Sequence, residues 1–190
     1  MRSTGIDRRA FLAAAAAFGL LGRPAAGAAR ESSPRMWLAA NVAAGRQYAL
    51  GAFDGNGDKV FELDLPGRGH GIALSPDRRT AIAVARRPGT FAAVVDLAAA
   101  EATHWLESPE GRHFHGHGLF SADGRLLFTS ENDYGEGAGV IGIWDATDDY
   151  RRVGEMSSHG IEPHDLRLMP DGRTLVVANG GILTHPDSGR

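Results

Sequence analysis

Cysteine is absent from the 190 residues. That one absence removes disulfides, thiolate metal sites, cysteine nucleophiles and covalent c-type haem attachment together. No run of about 18 apolar residues occurs, so no membrane span is expected once a leader is removed. The formal net charge is -3, and no basic field is present to draw nucleic acid. Missing too are a Gly-x-Ser-x-Gly elbow, a Gly-x-Gly-x-x-Gly opening a helix and a phosphate loop. Helix-forming stretches are nearly absent. Ala98-Ala99-Ala100 is helix-prone, but it is too short to nucleate a helix.

What is present begins with a leader. Arg8 and Arg9 precede Phe11 and Leu12, an apolar run follows from Ala13 to Leu21, and Pro24 interrupts it. Ala26-Gly27-Ala28 offers the small-x-small pattern that a signal peptidase accepts. Asp7-Arg8-Arg9-Ala10-Phe11-Leu12 looks like a twin-arginine motif, with Asp7 where Ser or Thr is usual. The expectation is a twin-arginine signal peptide over residues 1–28, a polar linker over 29–35 and a periplasmic mature chain.

The rest of the chain repeats. Gly69-His70-Gly71, Gly116-His117-Gly118 and Pro163-His164-Asp165 each open a β-prone run, and the three histidines are 47 residues apart both times. Each run reaches a turn carrying an aspartate, at Asp77, Asp123 and Asp171, and a second β-prone run follows. The third runs share an ending: Ala52-Phe53-Asp54, Val94-Val95-Asp96 and Ile143-Trp144-Asp145. The unit is therefore four strands joined by hairpin turns, which is one blade of a β-propeller. Residues 36–190 predict an all-β propeller segment of about three and a quarter blades. Three strands precede His70, matching the second, third and fourth of a blade, and two follow Met156. Closed propellers have roughly four to eight blades, so the expectation is the front half of a longer, seven-bladed protein.

At these histidines and their aspartate turns the sequence resembles YVTN-type and WD-like propellers. It is more closely similar to the Tat-exported family called domain of unknown function 1513. The residues carrying that likeness are Gly111-Arg112-His113-Phe114-His115-Gly116-His117-Gly118, Glu131-Asn132-Asp133-Tyr134, Gly139 to Asp145, His159-Gly160-Ile161, Pro163-His164 and Ala178 to Ile182. The resemblance implies a single propeller of about seven blades, nearly twice this length, and a link to periplasmic iron uptake.

In a propeller the loops entering the first strands share one face with the loops between second and third strands. That face collects His70, His113, His115, His117, His159 and His164, together with Asp165, Glu131, Asp133 and Asn179. The candidate ligand-binding set is His70, His117, His164, Asp165 and Asn179. His113, His115 and His117 alternate, which puts them on one side of an extended chain. With Glu131 and Asp133 on the neighbouring loop they form the candidate set for a divalent metal, since imidazole and carboxylate suit Zn, Fe, Mn, Ni or Cu(II). A once-per-blade histidine also serves to staple strands, so both readings stand. The functional expectation is an exported binding or scaffold protein whose partner is a small ligand or another periplasmic protein. The alternative is a lactonase-like metal-dependent hydrolase or an accessory subunit of a periplasmic redox complex.

Overall fold

The computed structural model describes residues 35–182. The leader with Arg8, Arg9, Ala26 and Ala28, most of the linker, and His185 lie outside the described residues. Among the described residues 13 strands occur, with a single turn of 3-10 helix at Ala44–Arg46. The first sheet joins β1 (Met36–Val42), β2 (Tyr48–Asp54) and β3 (Lys59–Asp64). The second runs β4 (Gly69–Leu74), β5 (Thr80–Ala85), β6 (Phe91–Asp96) and β7 (Glu101–Glu107), in that order. The third repeats it with β8 (Arg112–Phe120), β9 (Leu126–Asp133), β10 (Ala138–Asp145) and β11 (Arg151–Ser157). The hairpin β12 (Pro163–Leu168) and β13 (Leu175–Asn179) opens a fourth unit. All pairings are antiparallel between sequence neighbours.

Sequence repetition becomes repeated geometry at the turns. Between β4 and β5, the Asp77 carboxylate accepts from the Ser75 hydroxyl at 2.6 Å and from the Arg79 N–H at 3.1 Å. Between β8 and β9, Asp123 does the same with Ser121 at 2.6 Å and Arg125 at 3.1 Å. Asp171 accepts from the Arg173 and Thr174 N–H groups, both at 2.9 Å. These aspartates fix hairpins by capping turn donors. A register shift also recurs before each third-strand aspartate, at Ala52/Phe53, Val94/Val95 and Ile143/Trp144. The shared ending seen in the sequence is thus a bulge that bends the outer edge of each sheet.

The first strands, β4, β8 and β12, lie side by side, and the sheets stack face to face around them. β1 meets β4 as the second strands β5 and β9 meet β8 and β12, so β1 to β3 occupy the second to fourth places of their sheet. This is the blade arrangement of a β-propeller. The cores lie between blades. Ile82, Val84, Val94 and Leu106 pack with Phe114, Phe120, Leu127 and Trp144. Leu50 and Leu65 pack with Ala83, Ala93 and Val95 on the opposite face of the same sheet. β5 is buried on both faces because it is covered twice, and its alternation of Ala with Ile and Val lets one neighbour approach more closely. Each fully buried Ile or Val contributes about 1.5–3 kcal/mol.

One departure from the sequence reading bears on function. The segment expected as a loop entering at His117 is strand from Arg112 onward, paired as Arg112↔Asp133, His113↔Asn132 and Phe114↔Glu131. Glu131 and Asp133 therefore sit in β9 and not in a loop. The register shifts between Phe114 and Gly118. Gly116, at φ 110°, supplies the backbone that makes this bulge.

Candidate metal centre on the inner strands

The first strands place one imidazole each at the same level. His70 and His117 have ring centroids 4.9 Å apart, His117 and His164 5.2 Å, and His70 and His164 6.0 Å. One ring nitrogen from each lies within 4.8 Å of the other two. The glycines beside these histidines permit the approach. A Cβ on Gly71 would stand 3.0 Å from His117 Nδ1, and one on Gly116 would stand 2.6 Å from His70 Cδ2.

Burial holds two of these rings, His70 and His117, below the ordinary imidazole pKa. Burial lowers the His70 pKa, and His117, Arg86, His164 and Arg68 push it the same way. Burial also lowers His117, with Asp165 opposing and His164 and Arg167 reinforcing. Asp165 Oδ1 stands 3.4 Å from His117 Nδ1, and its other oxygen is 3.0 Å from Arg167 Nη2. A carboxylate there favours the Nδ1–H tautomer, which would leave Nε2 free to coordinate an ion. Nitrogens around a tetrahedral Zn²⁺ stand about 3.3 Å apart, so the three imidazoles would have to draw closer than their present 4.8 Å limit to hold one. Three protein ligands leave at least one position for water or another donor.

The remaining candidates fall elsewhere. His113 turns to Tyr134, ring centroids 5.1 Å apart. His115 is buried and stands 5.6 Å from the His164 ring. Its Nδ1 lies 3.0 Å from Asn132 Nδ2. Asn132 Oδ1 accepts the Glu162 N–H at 3.1 Å, which orients the amide. His115 Nδ1 is therefore an acceptor, its proton sits on Nε2, and neither nitrogen is offered to an ion. Burial lowers its pKa from 6.5 to about 4. Glu131 is fully buried, accepts from Arg152 at 2.8 and 3.0 Å and from the Thr129 hydroxyl at 2.6 Å. Asp133 is paired with Arg112. The alternation of His113, His115 and His117 thus does not converge, because the bulge re-aims the rings. The carboxylates of Glu131 and Asp133 are held by arginines of their own blade.

Asn179 acts on the loop before His164, donating to the Ser158 carbonyl at 3.0 Å and packing on Gly160. Sequence reasoning gave no role to Asn132, Glu162 and Arg87. The Glu162 carboxylate binds Arg87 of the β5–β6 loop, while its own N–H reaches Asn132 of β9. Glu162 adopts φ 55°, a left-handed conformation unusual for a non-glycine residue. It ties three blades together two residues before His164. No local pattern announces a partner 75 residues away.

The sequence profile described as protein of unknown function (DUF1513) matches residues 63–190. The chain belongs to the DUF1513 family. The matched span holds His70, His117 and His164, and with them Gly71 and Gly116. No curated protein matches this DUF1513 chain. Among solved structures, Kuenenia stuttgartiensis hydrazine synthase is similar at a TM-score of 0.61 and 16% identity, over 85% of this chain and 47% of that one. Dihydro-heme d1 dehydrogenase NirN, in complex with DHE, is similar at 0.53 and 19% identity, over 64% of this chain and 25% of that one. The chain spans about half the length of the hydrazine synthase chain it matches. At these identities the likeness is one of fold. Among the described residues no helix is long and apolar enough to cross a membrane.

Proposed function

We propose that this DUF1513 protein is an exported binding protein that holds a transition-metal ion on His70, His117 and His164. The observation that carries the reading is the convergence of one imidazole from each of three successive first strands, with ligand atoms within 4.8 Å of one another. Neutral imidazoles without thiolates suit Zn, Cu(II), Fe or Ni. The leader read over residues 1–28 supports a periplasmic location, and the family's implied link to iron uptake is one use of such a site. A hydrolytic or redox role would draw on the same ion, through the coordination position that three ligands leave open.

The test is a titration of protein prepared without chelator. One Zn(II) or Cu(II) per chain is expected, and His117→Ala should abolish binding. Absence of any stoichiometric ion, with His117→Ala lowering only the melting temperature, would mean that the histidines staple the blades.

A further inference from the structure

The charges around the three histidines are unequal. Arg167 is paired with Asp165, and Arg87 with Glu162. Arg68 and Arg86 have no ion pair among the described residues. They are cross-strand neighbours, joined by the Arg86 N–H to the Arg68 carbonyl at 2.8 Å. Arg68 lies two residues before His70, and both residues line a cavity of about 430 Å³ with Asn41, Tyr48 and Gly69. Within that wall Asn41 Oδ1 is buried without a hydrogen-bond partner.

Resting on the three-histidine reading, we propose that the cavity beside His70 binds a small hydroxylated carboxylate, which enters as the co-ligand of the ion. Two unpaired guanidiniums next to a dication repel it, and an intervening carboxylate reverses the sign of both interactions. Guanidinium is also the side chain whose geometry matches a carboxylate. Asn41 brings an amide side chain to the same wall, which suits a ligand that carries a hydroxyl as well as a charge. The open coordination position receives a carboxylate oxygen. Arg68, just before β4, and Asn41 of β1 line the cavity, and Arg86, just after β5, is joined to Arg68 through its backbone.

The experiment titrates Zn(II) into the chelator-free protein in a weakly coordinating buffer, alone, with acetate and with glycolate. Zn(II) affinity is expected to rise about tenfold or more with glycolate, and less with acetate. In the Arg68→Ala/Arg86→Ala variant the enhancement should vanish, and Zn(II) alone should bind as tightly as in the parent or more tightly. Asn41→Leu should erase the difference between glycolate and acetate. Zn(II) binding that ignores both anions, or an enhancement kept in the double variant, overturns the inference and leaves the three-histidine site intact. Zn(II) binding under no condition overturns both.

Discussion

A Cβ on Gly71 would lie 2.4 Å from the carbonyl oxygen of Gly116. These two residues face each other across the seam between β4 and β8, beside His70 and His117. Backbone stands where any other residue would put a side chain, so the seam closes only with glycine. Gly71→Ala should force the first strands apart. The expected result is at least a tenfold loss of Zn(II) affinity, with a stability cost of about 1–3 kcal/mol. Calorimetric titration and a melt of the same preparation check both.

Glu131 should behave as a structural group. Its carboxylate is fully buried against Arg152, which also lies over the Trp144 ring. Removing one partner of such a pair typically costs about 3–5 kcal/mol, because a charge is left uncompensated. Glu131→Ala should lower stability by that order and leave Zn(II) stoichiometry unchanged. If that variant does not fold, Glu131→Gln keeps the shape and tests stoichiometry alone. Loss of the ion in a folded variant would place Glu131 back among the ligands.

His115 predicts acid sensitivity. Its pKa falls from 6.5 to about 4 on folding, so the unfolded chain takes up a proton that the folded chain refuses. Stability is full above pH 6.5, declines as pH falls toward 4 and levels off below. The whole decline is on the order of 3 kcal/mol. His115→Gln keeps an acceptor for Asn132 without titrating, and denaturant melts across this window should show a shallower slope. An unchanged slope would mean that other groups carry it.

Metal release should need more acid than free imidazole would suggest. The pKa values of His70 and His117 are both lowered, chiefly by burial. Protons then displace the ion from these two ligands only below the ordinary range near 6.5. Zn(II) affinity measured from pH 8 to 5 should stay flat through pH 7. A steep loss already above pH 7 would contradict it.

The proposed export would depend on Arg8 and Arg9 near the start. With Arg8 and Arg9 both changed to lysine, the precursor should accumulate in the cytoplasm by fractionation. Arrival of the mature form in the periplasm at the normal rate would exclude the twin-arginine route.

The strands, the turn aspartates and the spacing of His70, His117 and His164 were legible because they are local signals repeated at one period. The direction of a side chain near a bulge was not. His113, His115 and His117 alternate in sequence, but Gly116 at φ 110° breaks the alternation. His113 goes to Tyr134, His115 to Asn132, and His117 to the inner cluster. Glu131 read as a loop carboxylate because nothing nearby in sequence hints at Arg152, 21 residues on. Glu162 likewise acquires its meaning from Arg87 and Asn132, which only the stacking of blades brings to it.

The equal spacing of the three histidines has a meaning for the chain as a polymer. An ion held by His70, His117 and His164 cross-links the backbone at three points and closes two loops of 47 residues each. Loop closure costs entropy that grows only slowly with length, so fastening each further blade costs about the same. Ligands drawn from three blades cannot all stay bound if any one of those blades opens. Metal loading should therefore turn blade-by-blade fraying into a single transition. The DUF1513 chain would then carry, in its ion, a mechanical fastener as well as a ligand.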